Sequence, residues 1–530
     1  MQVLTSWPEW ERWAAEKKYT LLPYVLKSDL DLGLPVSWEN AWQAAAPYSL
    51  LLENGKGGRY TYLGLRPVSV LKGKGAVAEM LDLSRPGSEA VQLSGAPLDL
   101  LRQWIRPYRS PALAASAALP PFTGGVAGFL GYDVARSLER LPSKALDQPG
   151  FPDYVWLRFE QLWIYDHAEQ ALYCAVYTPV VAAGCEGLED LYQQAAAEAE
   201  AMLAEWRRLA ASALTTTAAE ADGIVAAVEA AGSGTDGMWP GMSTAFAVEN
   251  FQAAVRAVQE YIRQGDVFQV NLSLRQEAPL ASTPEQVYEW LRKLNPSPYM
   301  GLLRSPGFAL SSASPELLVK LHGDKVSARP IAGTRRRGHT PAEDAAMEAE
   351  LRGSEKEIAE HIMLVDLERN DVGRVAAYGT VRVPELMTVE RYSHVMHLVS
   401  QVEGIIAPGK DAYDVIAAMF PGGTITGAPK VRTMEIIEEL EPVRRGPYTG
   451  SMGWIDYSGD MELNIVIRTL AVQDGIGYIQ TGAGIVIDSD PYREYRECHN
   501  KAKAVVKAVL CSEKLQELRN AGGAEGGATR

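Results

Sequence analysis

Cysteine is scarce in this chain, and its few cysteines are arranged neither for metal binding nor for disulfides. The 530 residues contain only Cys174, Cys185, Cys498 and Cys511. These positions show neither the Cys-x-x-Cys spacing of a metal site nor the pattern of a disulfide framework. Such usage is typical of a reducing compartment, and we therefore expect a cytoplasmic location.

The sequence also lacks a positive net charge and any long apolar segment. The formal net charge is −15, which argues against nucleic acid or an anionic membrane surface as a partner. The first residues, MQVLTSWPEWERW, contain no apolar stretch of the signal-peptide kind, and no run reaches the length of a transmembrane helix. Hydrophobic residues nevertheless make up 47% of the chain, so we expect a large buried core.

Predicted strands and helices alternate irregularly, and several strands follow one another directly. This order favours an α+β fold over a doubly wound parallel sheet. We predict a first region at residues 1–190, a helix and flexible linker at 191–247, a second region at 248–512 and a disordered tail at 513–530. The linker is predicted from the Ala, Gly, Ser and Thr content of residues 215–244.

The stretch at residues 481–503 combines a glycine-rich loop with a charged helix. Glycines at Gly482–Gly484 would let backbone N–H groups approach an anion. The following helix carries Glu494, Glu497 and Lys501 on one face. Carboxylates beside such a loop can hold a hard cation such as Mg²⁺, although a solvated helix face is the alternative interpretation.

A second predicted helix supplies further carboxylates. Glu357 and Glu360 precede the apolar stretch at residues 363–367, so we expect them to lie near buried structure. Glu360 and Glu497, from separate helices, are the predicted Mg²⁺ ligands. Mg²⁺ commonly takes one or two protein carboxylates and leaves its other positions to substrate oxygens and water.

Three further features fit an anionic substrate. Arg468 lies among apolar strand residues, and an arginine in such a strand needs a partner, of which a carboxylate is the natural one. His397 is either a core histidine or a contact of the substrate. The glycine-rich loop that contains Thr426 lacks the GK[ST] of a Walker A motif but leads into a helix, where N–H groups bind anions. These parts together predict a site for a small dicarboxylate beside Mg²⁺.

Several long motifs of the second region resemble those of the chorismate-utilising enzymes, both in sequence and in their order along the chain. That family comprises component I of anthranilate synthase, component I of aminodeoxychorismate synthase, and the isochorismate and salicylate synthases. The resemblance is dense over residues 251–510 and thinner over about residues 50–175. The motifs are SPELL, PIAGTRRRG, EKEIAEHIMLVDLERND, YSHVMH, PGGTITGAPKVRTM, IVIRT and GAGIVIDSDPYREYRECHNKA.

The resemblance implies a fold and an activity. The fold is a large α+β sandwich of two antiparallel sheets covered by helices, with the N-terminal region packed into one sheet. Residues 1–190 would be a region like that of anthranilate synthase component I, and residues 248–512 the chorismate-binding catalytic region. The implied cofactor is Mg²⁺, and the implied substrates are chorismate and ammonia.

Roles for individual residues also follow from the resemblance. Glu360 and Glu497 match the metal ligands, and Glu316 matches the general acid. His397 and Thr426 match positions near the ring and its leaving hydroxyl. The remaining matched positions surround the metal and the substrate carboxylates, and they are Glu357, Tyr448, Arg468, Gly482, Ala483, Gly484 and Lys501.

The nucleophile and the product depend on two positions. Gln269 stands where water-using members carry a lysine base and ammonia-using members carry glutamine, so ammonia is implied. Ala332 replaces a lysine that forms a covalent ring adduct in some aminodeoxychorismate synthases, and it is the residue of anthranilate synthases. The motifs FQVNLS, GSMGWIDY and LNIVIRT, however, resemble Bacillus-type aminodeoxychorismate synthases. We expect aminodeoxychorismate for p-aminobenzoate and folate synthesis, and anthranilate for tryptophan synthesis is the alternative.

A partner is implied as well. No G-x-C-x-G loop of a glutaminase occurs, and none of the cysteines has a nucleophile setting, so a glutamine amidotransferase subunit is expected to supply ammonia in a heterodimer. A hypothesis of another class is an inactive protein that docks the amidotransferase or binds an aromatic acid. Loss of Glu360, Glu497 or Arg468 would indicate such a protein, and the sequence retains all three.

A regulatory site is the last implication. Tryptophan-inhibited anthranilate synthases carry a serine after LLE, whereas this chain has Asn54, so inhibition by tryptophan is not expected. A regulatory or structural tryptophan site is the alternative that stays open. The residues that would form it are Glu53, Asn54, Arg59, Pro298, Tyr299 and Met300.

Overall fold

A computed structural model of the chain describes residues 1–29, 33–85, 87–113, 119–180, 187–211, 216–232, 234–391 and 395–526. Within these ranges the strands are β1 Gln2–Val3, β2 Leu21–Asp29, β3 Ser49–Glu53, β4 Tyr60–Gly64, β5 Ser69–Lys74, β6 Val77–Asp82, β7 Val91–Ser94, β8 Gly125–Leu130, β9 Tyr154–Phe159, β10 Gln161–Asp166, β11 Ala171–Pro179, β12 Gln269–Pro279, β13 Tyr299–Ser305, β14 Phe308–Ser314, β15 Leu317–His322, β16 Lys325–Ala328, β17 Ile331–Arg336, β18 Arg382–Arg391, β19 Val395–Ile405, β20 Gly427–Ala428, β21 Ser451–Asp456, β22 Met461–Asn464, β23 Thr469–Gln473 and β24 Ile476–Ile485.

The α-helices in the same ranges are α1 Trp7–Ala15, α2 Glu39–Ala44, α3 Pro97–Ile105, α4 Leu188–Ala210, α5 Ala218–Ala230, α6 Val248–Arg263, α7 Pro284–Leu294, α8 Pro341–Gly353, α9 Glu355–Gly373, α10 Ala412–Met419, α11 Lys430–Leu440 and α12 Pro491–Gly526. Among the described residues we find no helix with the length and hydropathy that a membrane crossing requires.

The strands form two antiparallel sheets, which confirms the predicted fold class. The first sheet has the order β1-β2-β11-β10-β4-β3-β13-β14-β23-β24-β12-β20. The second has the order β17-β19-β16-β15-β22-β21-β8-β9-β5-β6-β7, and β18 also pairs with β19. Each sheet combines strands from both halves of the chain, as the β3–β13 and β8–β21 pairs show. The expectation that the N-terminal region enters only one sheet is therefore wrong.

The two sheets pack face to face around a central core. Leu50 and Tyr62 of the first sheet and Phe129 and Leu157 of the second belong to one buried cluster. Their strands alternate inward and outward side chains, so every second residue faces the opposing sheet. Burial of each such side chain contributes about 1.5–3 kcal/mol, which makes this interface a main source of stability.

Helices cover the two outer faces. Helices α4, α5, α7 and α12 bury apolar side chains in one cluster with the first sheet. Helices α3, α9 and α10 do the same on the second sheet. Helix α6 packs with α11 against β12 and β24, at the edge of the first sheet. This edge is where the candidate site lies.

The segment predicted to be a flexible linker is largely ordered. Thr217 and Glu220 form a reciprocal capping box that starts α5. Ala221, Ile224 and Val228 are buried along one side of that helix. These apolar residues recur at helical spacing within an Ala- and Gly-rich composition, and composition alone therefore gave the wrong prediction.

Two other boundaries differ from the sequence prediction. The sequence pattern over residues 343–366 predicts a single helix, but α8 ends at Gly353 and Ser354 caps α9 with its side chain. The tail expected to be disordered from residue 513 continues α12 to Gly526. Its first part packs on α7, whose Gln286 amide donates to Gln516 Oε1 at 3.3 Å.

Candidate active site

The candidate site lies at the end of the first sheet, where short polar segments of both sheets meet. Gly265, with a φ of 82°, ends α6 and turns the chain into β12. Strand β12 pairs with β20 on one side and with β24 on the other. Helix α12 packs on β24, helix α9 lies against β17 and β19 of the second sheet, and the connection from β22 to β23 passes between the sheets.

Gln269 and Asn271 project from the start of β12 over the glycines of β24. A Cβ at Gly484 would lie 2.5 Å from Gln269 Nε2, and a Cβ at Gly482 would lie 2.4 Å from Asn271 Oδ1. The glycines therefore leave space for these amides, a role that the sequence analysis did not predict. Gln269 Oε1 and Asn271 Oδ1 are buried and have no hydrogen-bond partner in the described part of the chain.

Helices α9 and α12 bring carboxylates and lysines together beside Gln269. Burial raises the pKa of Glu360, the neighbouring Glu357 charge raises it further, and Lys356 and the Gln269 amide lower it. Burial likewise raises the pKa of Glu494, and the Glu497 charge adds to that increase. The site thus concentrates negative charge where water is partly excluded.

Lys501 provides the nearest positive charge on α12. Its Nζ lies 2.8 Å from Glu497 Oε1 and donates to the Gly482 carbonyl at 2.9 Å. The same ammonium group lowers the pKa of Glu360. Lys501, Glu497, Gly482 and Glu360 are therefore neighbours, as the sequence predicted from two separate helices and a loop.

The residues present fit a magnesium ion by their chemistry. No three His, Cys, Asp or Glu side chains converge into a ready-made metal site within the described ranges. Glu360 and Glu497 both lie beside Lys501, and carboxylate oxygens are ligands that Mg²⁺ prefers. A cation between them would also relieve the repulsion that raises the pKa of Glu360.

Arg468 lies on the connection between the two sheets and has no carboxylate partner in the described residues. Its φ of 52° is unusual for a residue other than glycine, which indicates a strained backbone at this position. Burial lowers its pKa, and the Tyr448 side chain is the main group that opposes this shift. No ion pair of its guanidinium occurs in the described ranges, so an anionic ligand would satisfy it.

Tyr448 and His397 lie beside this arginine. A Cβ at Gly482 would lie 2.7 Å from the Tyr448 hydroxyl, which places that hydroxyl over β24. Burial lowers the pKa of His397, and the Arg468 charge lowers it further. The His397 ring contacts Thr334 Oγ1 at 3.0 Å. The imidazole is therefore neutral near pH 7 and lies close to Arg468.

Glu316 is buried between the sheets and is held by a threonine of the glycine-rich turn. Thr424 donates its hydroxyl to Glu316 Oε1 at 2.6 Å. Burial raises the pKa of Glu316 to about 7, while Thr424 and Lys501 act in the opposite direction. A carboxyl group with this pKa can act as an acid at neutral pH.

Two predicted residues are used differently from the expectation. The Thr426 hydroxyl donates to the Gly422 carbonyl at 2.9 Å, so it stabilises its own turn, and Thr424 is the threonine that contacts Glu316. Glu357 pairs with Arg335 at 2.9 Å. It acts on the site through its charge beside Glu360.

Ala332 and Ala483 have little exposed surface. Ala332 lies on β17 opposite Leu398, next to an irregularity of the strand pairing at Gly333. A Cβ at Gly333 would lie 3.1 Å from Glu357 Oε2, which brings this bulge close to α9. Ala483 is fully buried on β24 opposite Leu272.

Four polar residues of the site were assigned no role of their own from the sequence. They are Thr424, Asn271, Lys356 and Glu494, of which only Glu494 was placed on a charged helix face. The role of Asn271 could have been predicted, because its two-residue spacing from Gln269 places both side chains on the same face of the strand. The Thr424 contact depends on a long-range approach, since 108 residues separate it from Glu316.

The residues predicted to form a tryptophan site also lie together, in the first sheet. Glu53 accepts from both Arg292 and Tyr288, and the Asn54 side chain accepts from the backbone of Lys56 and Gly58. Arg59 pairs with Asp166 and Glu169. Pro298, Tyr299 and Met300 line a cavity of about 50 Å³ together with Glu53 and Asn54.

A larger cavity of about 880 Å³ adjoins this one and is lined by Glu53, Asn54, Arg59 and Met300 among others. Ligand binding in either cavity stays a prediction.

Comparisons with known proteins identify related chains. Residues 89–507 match the family model of the chorismate binding enzymes. The chain is 45% identical over 473 residues to aminodeoxychorismate synthase component 1 of Bacillus subtilis (strain 168), which covers 89% of this chain and 94% of that protein. It is 44% identical over 494 residues to anthranilate synthase component 1 of Thermus thermophilus, which covers 93% of this chain and 98% of that protein.

A solved structure is similar as well. Anthranilate synthase component I of Streptococcus pneumoniae superposes with a TM-score of 0.69 at 32% identity, covering 85% of this chain and 92% of the other. The family match over residues 89–507 contains the whole candidate site, from Gln269 to Lys501.

Proposed function

The chain belongs to the family of chorismate-binding enzymes, and from that premise we propose that it is component I of an aminodeoxychorismate synthase. In this proposal it aminates chorismate with ammonia, with Mg²⁺ as cofactor, for p-aminobenzoate and folate synthesis. The observation that supports ammonia as the nucleophile is Gln269. Its buried Oε1 has no partner in the described residues, and an acceptor of this kind suits the N–H groups of ammonia.

The substrate carboxylates have a matching receptor. Arg468 offers a guanidinium fork that no carboxylate occupies in the described ranges, and Tyr448 adds a hydroxyl beside it. Glu360 and Glu497 would hold Mg²⁺, which supplies positive charge for a substrate carboxylate when it is bound. Lys501 then stays beside Glu497 as a second positive group.

The acid of the reaction is Glu316. Ammonia attacks the ring carbon that carries the hydroxyl, the carbon–oxygen bond breaks, and Glu316 gives its proton to the departing hydroxyl, which leaves as water. Ammonia needs no base before attack, which agrees with the neutral amide of Gln269. The proton lost by the new ammonium group restores Glu316, and the enolpyruvyl ether is retained.

Ala332 excludes a covalent intermediate at its own position, because its side chain carries no nucleophile. The amination therefore proceeds by direct attack of ammonia. No enzyme–substrate adduct should be trapped with wild-type protein, whereas Ala332→Lys should form one that mass spectrometry detects.

A second candidate function is anthranilate synthesis. It is favoured by Ala332, which is the residue of anthranilate synthases, and by the 44% identity to the Thermus thermophilus protein. That reaction places the amino group on another ring carbon and eliminates pyruvate. The motifs FQVNLS, GSMGWIDY and LNIVIRT decide our preference for aminodeoxychorismate.

Product identification tests the proposal. The purified chain is incubated with chorismate, Mg²⁺ and ammonium, and the products are separated by chromatography with fluorescence and mass detection. We expect aminodeoxychorismate as the main product and little fluorescent anthranilate. Anthranilate and pyruvate in equal amounts as the main products would establish the second candidate, and no turnover at all would favour a binding protein.

A glutamine amidotransferase subunit is the proposed partner, since the sequence contains no glutaminase nucleophile. The exposed Phe268 and Ile487 each lie two residues beyond the last β12–β24 pair, beside Gln269. They offer that subunit an apolar surface at the point where ammonia must enter. The chain alone should use ammonium but not glutamine, and glutamine-driven turnover by the pure chain would contradict this.

A further inference from the structure

A second group of buried charges lies beside the turn that holds Glu316, and the proposed reaction does not use it. Glu368 and Asp371 are buried on α9, and Lys430 is buried at the start of α11. Lys430 Nζ lies 2.5 Å from Asp371 Oδ2 and donates to the Met419 carbonyl at 3.0 Å. Asp371 thus neutralises Lys430, while no ion pair of Glu368 occurs in the described part of the chain.

Glu368 is instead directed at the glycine-rich turn. Its carboxyl group faces the Gly423 backbone N–H, which lowers its pKa, and Glu368 Oε2 has no hydrogen-bond partner among the described residues. The helix and the turn approach closely, because a Cβ at Gly423 would lie 2.2 Å from Leu367 Cδ2. The next residue is Thr424, whose hydroxyl contacts Glu316. One short turn therefore contacts Glu368 on one side and Glu316 on the other.

The charges around Glu368 favour its neutral form. Burial raises its pKa most, the charges of Asp371 and Glu316 raise it further, and Lys430 and the Gly423 N–H lower it. These groups come from α9 itself, from the β14–β15 connection, from α11 and from the turn. A neutral carboxyl still accepts a hydrogen bond through its carbonyl oxygen.

We propose that Glu368 is a positioning residue, whose carboxyl group fixes the Gly423–Thr424 turn and thereby keeps the Thr424 hydroxyl on Glu316. The inference rests on the proposed role of Glu316 as the general acid. Glu368 touches neither substrate nor metal in this account. Its contribution is to hold the donor that sets the acidity of Glu316.

The consequence for catalysis has a defined sign. The Thr424 hydrogen bond lowers the pKa of Glu316. When the turn loses its anchor and the hydroxyl moves away, the pKa of Glu316 rises. Glu316 then stays protonated to higher pH. The alkaline limb of the pH profile, which is the decline of kcat/KM at high pH, therefore moves to higher pH.

Two neutral substitutions of similar volume separate positioning from charge. Glu368→Gln keeps an oxygen that accepts the Gly423 N–H, whereas Glu368→Met does not. We expect Glu368→Met to move the alkaline limb upward by about 0.5–1 pH unit, the size of one lost hydrogen bond, and Glu368→Gln to leave it in place. A role in folding alone would lower the melting temperature in both variants without moving the limb.

Thr424→Val supplies the matched control. It removes the hydroxyl directly, so it should move the limb as far as Glu368→Met, and the double variant should move it no further. A limb that stays fixed in folded Glu368→Met, or additive shifts in the double variant, would overturn the proposal. If Glu368→Met does not fold, hydrogen exchange of the wild-type peptide around Gly423 decides, because rapid exchange of that amide contradicts the anchor and slow exchange supports it.

Failure of the positioning role can be distinguished from failure of the proposed function. The limb is measured on chorismate consumption at a constant concentration of free ammonia, and this readout is the same for either product. A fully active Glu316→Gln variant would refute the general acid, and with it the premise of this inference. A limb present in the wild type but unaffected by Glu368→Met would refute the positioning role alone.

Discussion

Two arginines of the same stretch, Arg445 and Arg468, have opposite surroundings. The Arg445 guanidinium is fully buried and donates to Glu441 through Nε and Nη2, to the carbonyls of Ile425 and Asn271, and to Thr449. Arg468 has no carboxylate partner in the described residues. Both lie near Tyr448.

The difference separates a structural group from a proposed ligand-binding group. The chain supplies hydrogen-bond partners for the whole Arg445 guanidinium, so this interaction belongs to the fold. Arg468 is desolvated without a compensating charge in the described ranges, and uncompensated buried charges are typical of functional sites. The same contrast applies to Asp371, which is paired with Lys430, and Glu360, which lies beside another carboxylate.

The largest expected effect is on the structural arginine. Arg445→Met leaves Glu441 as an uncompensated buried charge, and breaking such a pair costs about 3–5 kcal/mol of unfolding free energy. Denaturant titration with fluorescence measures the loss. Arg468→Met serves as the matched control and should unfold at the same or a higher denaturant concentration, because it removes an unpaired buried charge. Equal destabilisation of the two variants would contradict the claim that Arg445 stabilises the fold and Arg468 does not.

A smaller effect on stability, with a large effect on activity, is expected at the two proposed Mg²⁺ ligands. Glu360→Gln and Glu497→Gln should each lower kcat/KM by about 100-fold or more, roughly 2.7 kcal/mol, and raise the Mg²⁺ concentration needed for half activity. Glu360→Gln should not lower the melting temperature, since burial and Glu357 disfavour its charge. Full activity of Glu497→Gln at limiting Mg²⁺ would exclude it as a ligand.

The pH dependence tests Glu316. Its pKa is raised to about 7, so it is protonated below neutrality and loses its proton as the pH rises. The chorismate-dependent kcat/KM should therefore decline above about pH 7, and Glu316→Asp should retain a decline while Glu316→Gln abolishes most activity. At a constant concentration of free ammonia, a rate that does not change from pH 6 to 9 would contradict the role of acid.

The smallest effect is expected in the loop around Asn54. Its side chain caps the loop through the backbone N–H groups of Lys56 and Gly58. Asn54→Ala should cost about 1 kcal/mol of stability, the size of a lost cap, and Asn54→Ser should cost less. Turnover of chorismate should not change, because the loop lies outside the site that contains Arg468. An altered KM for chorismate would show that the two regions are coupled.

The fold and the site differ in how far the sequence predicts them. The α+β class follows from the irregular alternation of strands and helices, but the order of strands does not, since β3 pairs with β13 across about 250 residues of chain. Helix α5 was missed because its apolar stripe is short and lies in a composition typical of linkers. The continuation of α12 beyond residue 512 was missed for a related reason, because alanine and glycine near its end resemble a tail.

Within the site, local patterns carried the prediction and long-range contacts did not. Glu360, Glu497 and Lys501 were identified through helix spacing and resemblance, and they lie together. The contact of Thr424 with Glu316 and the orientation of Glu368 toward Gly423 join segments that are distant in sequence. Periodicity cannot reveal such contacts, because they depend on how the two sheets pack.

The central claim is the proposal that Arg468, which has no carboxylate partner among the described residues, binds a chorismate carboxylate. Calorimetric titration of chorismate, with Mg²⁺ and without ammonia, measures this directly in the wild type and in Arg468→Lys. Lysine keeps the charge but loses the bidentate fork, so we expect the affinity to fall by about 2–3 kcal/mol, or roughly 30–150-fold, while the melting temperature is retained. Equal affinity of the two proteins for chorismate would contradict the claim and make Arg468 a structural residue.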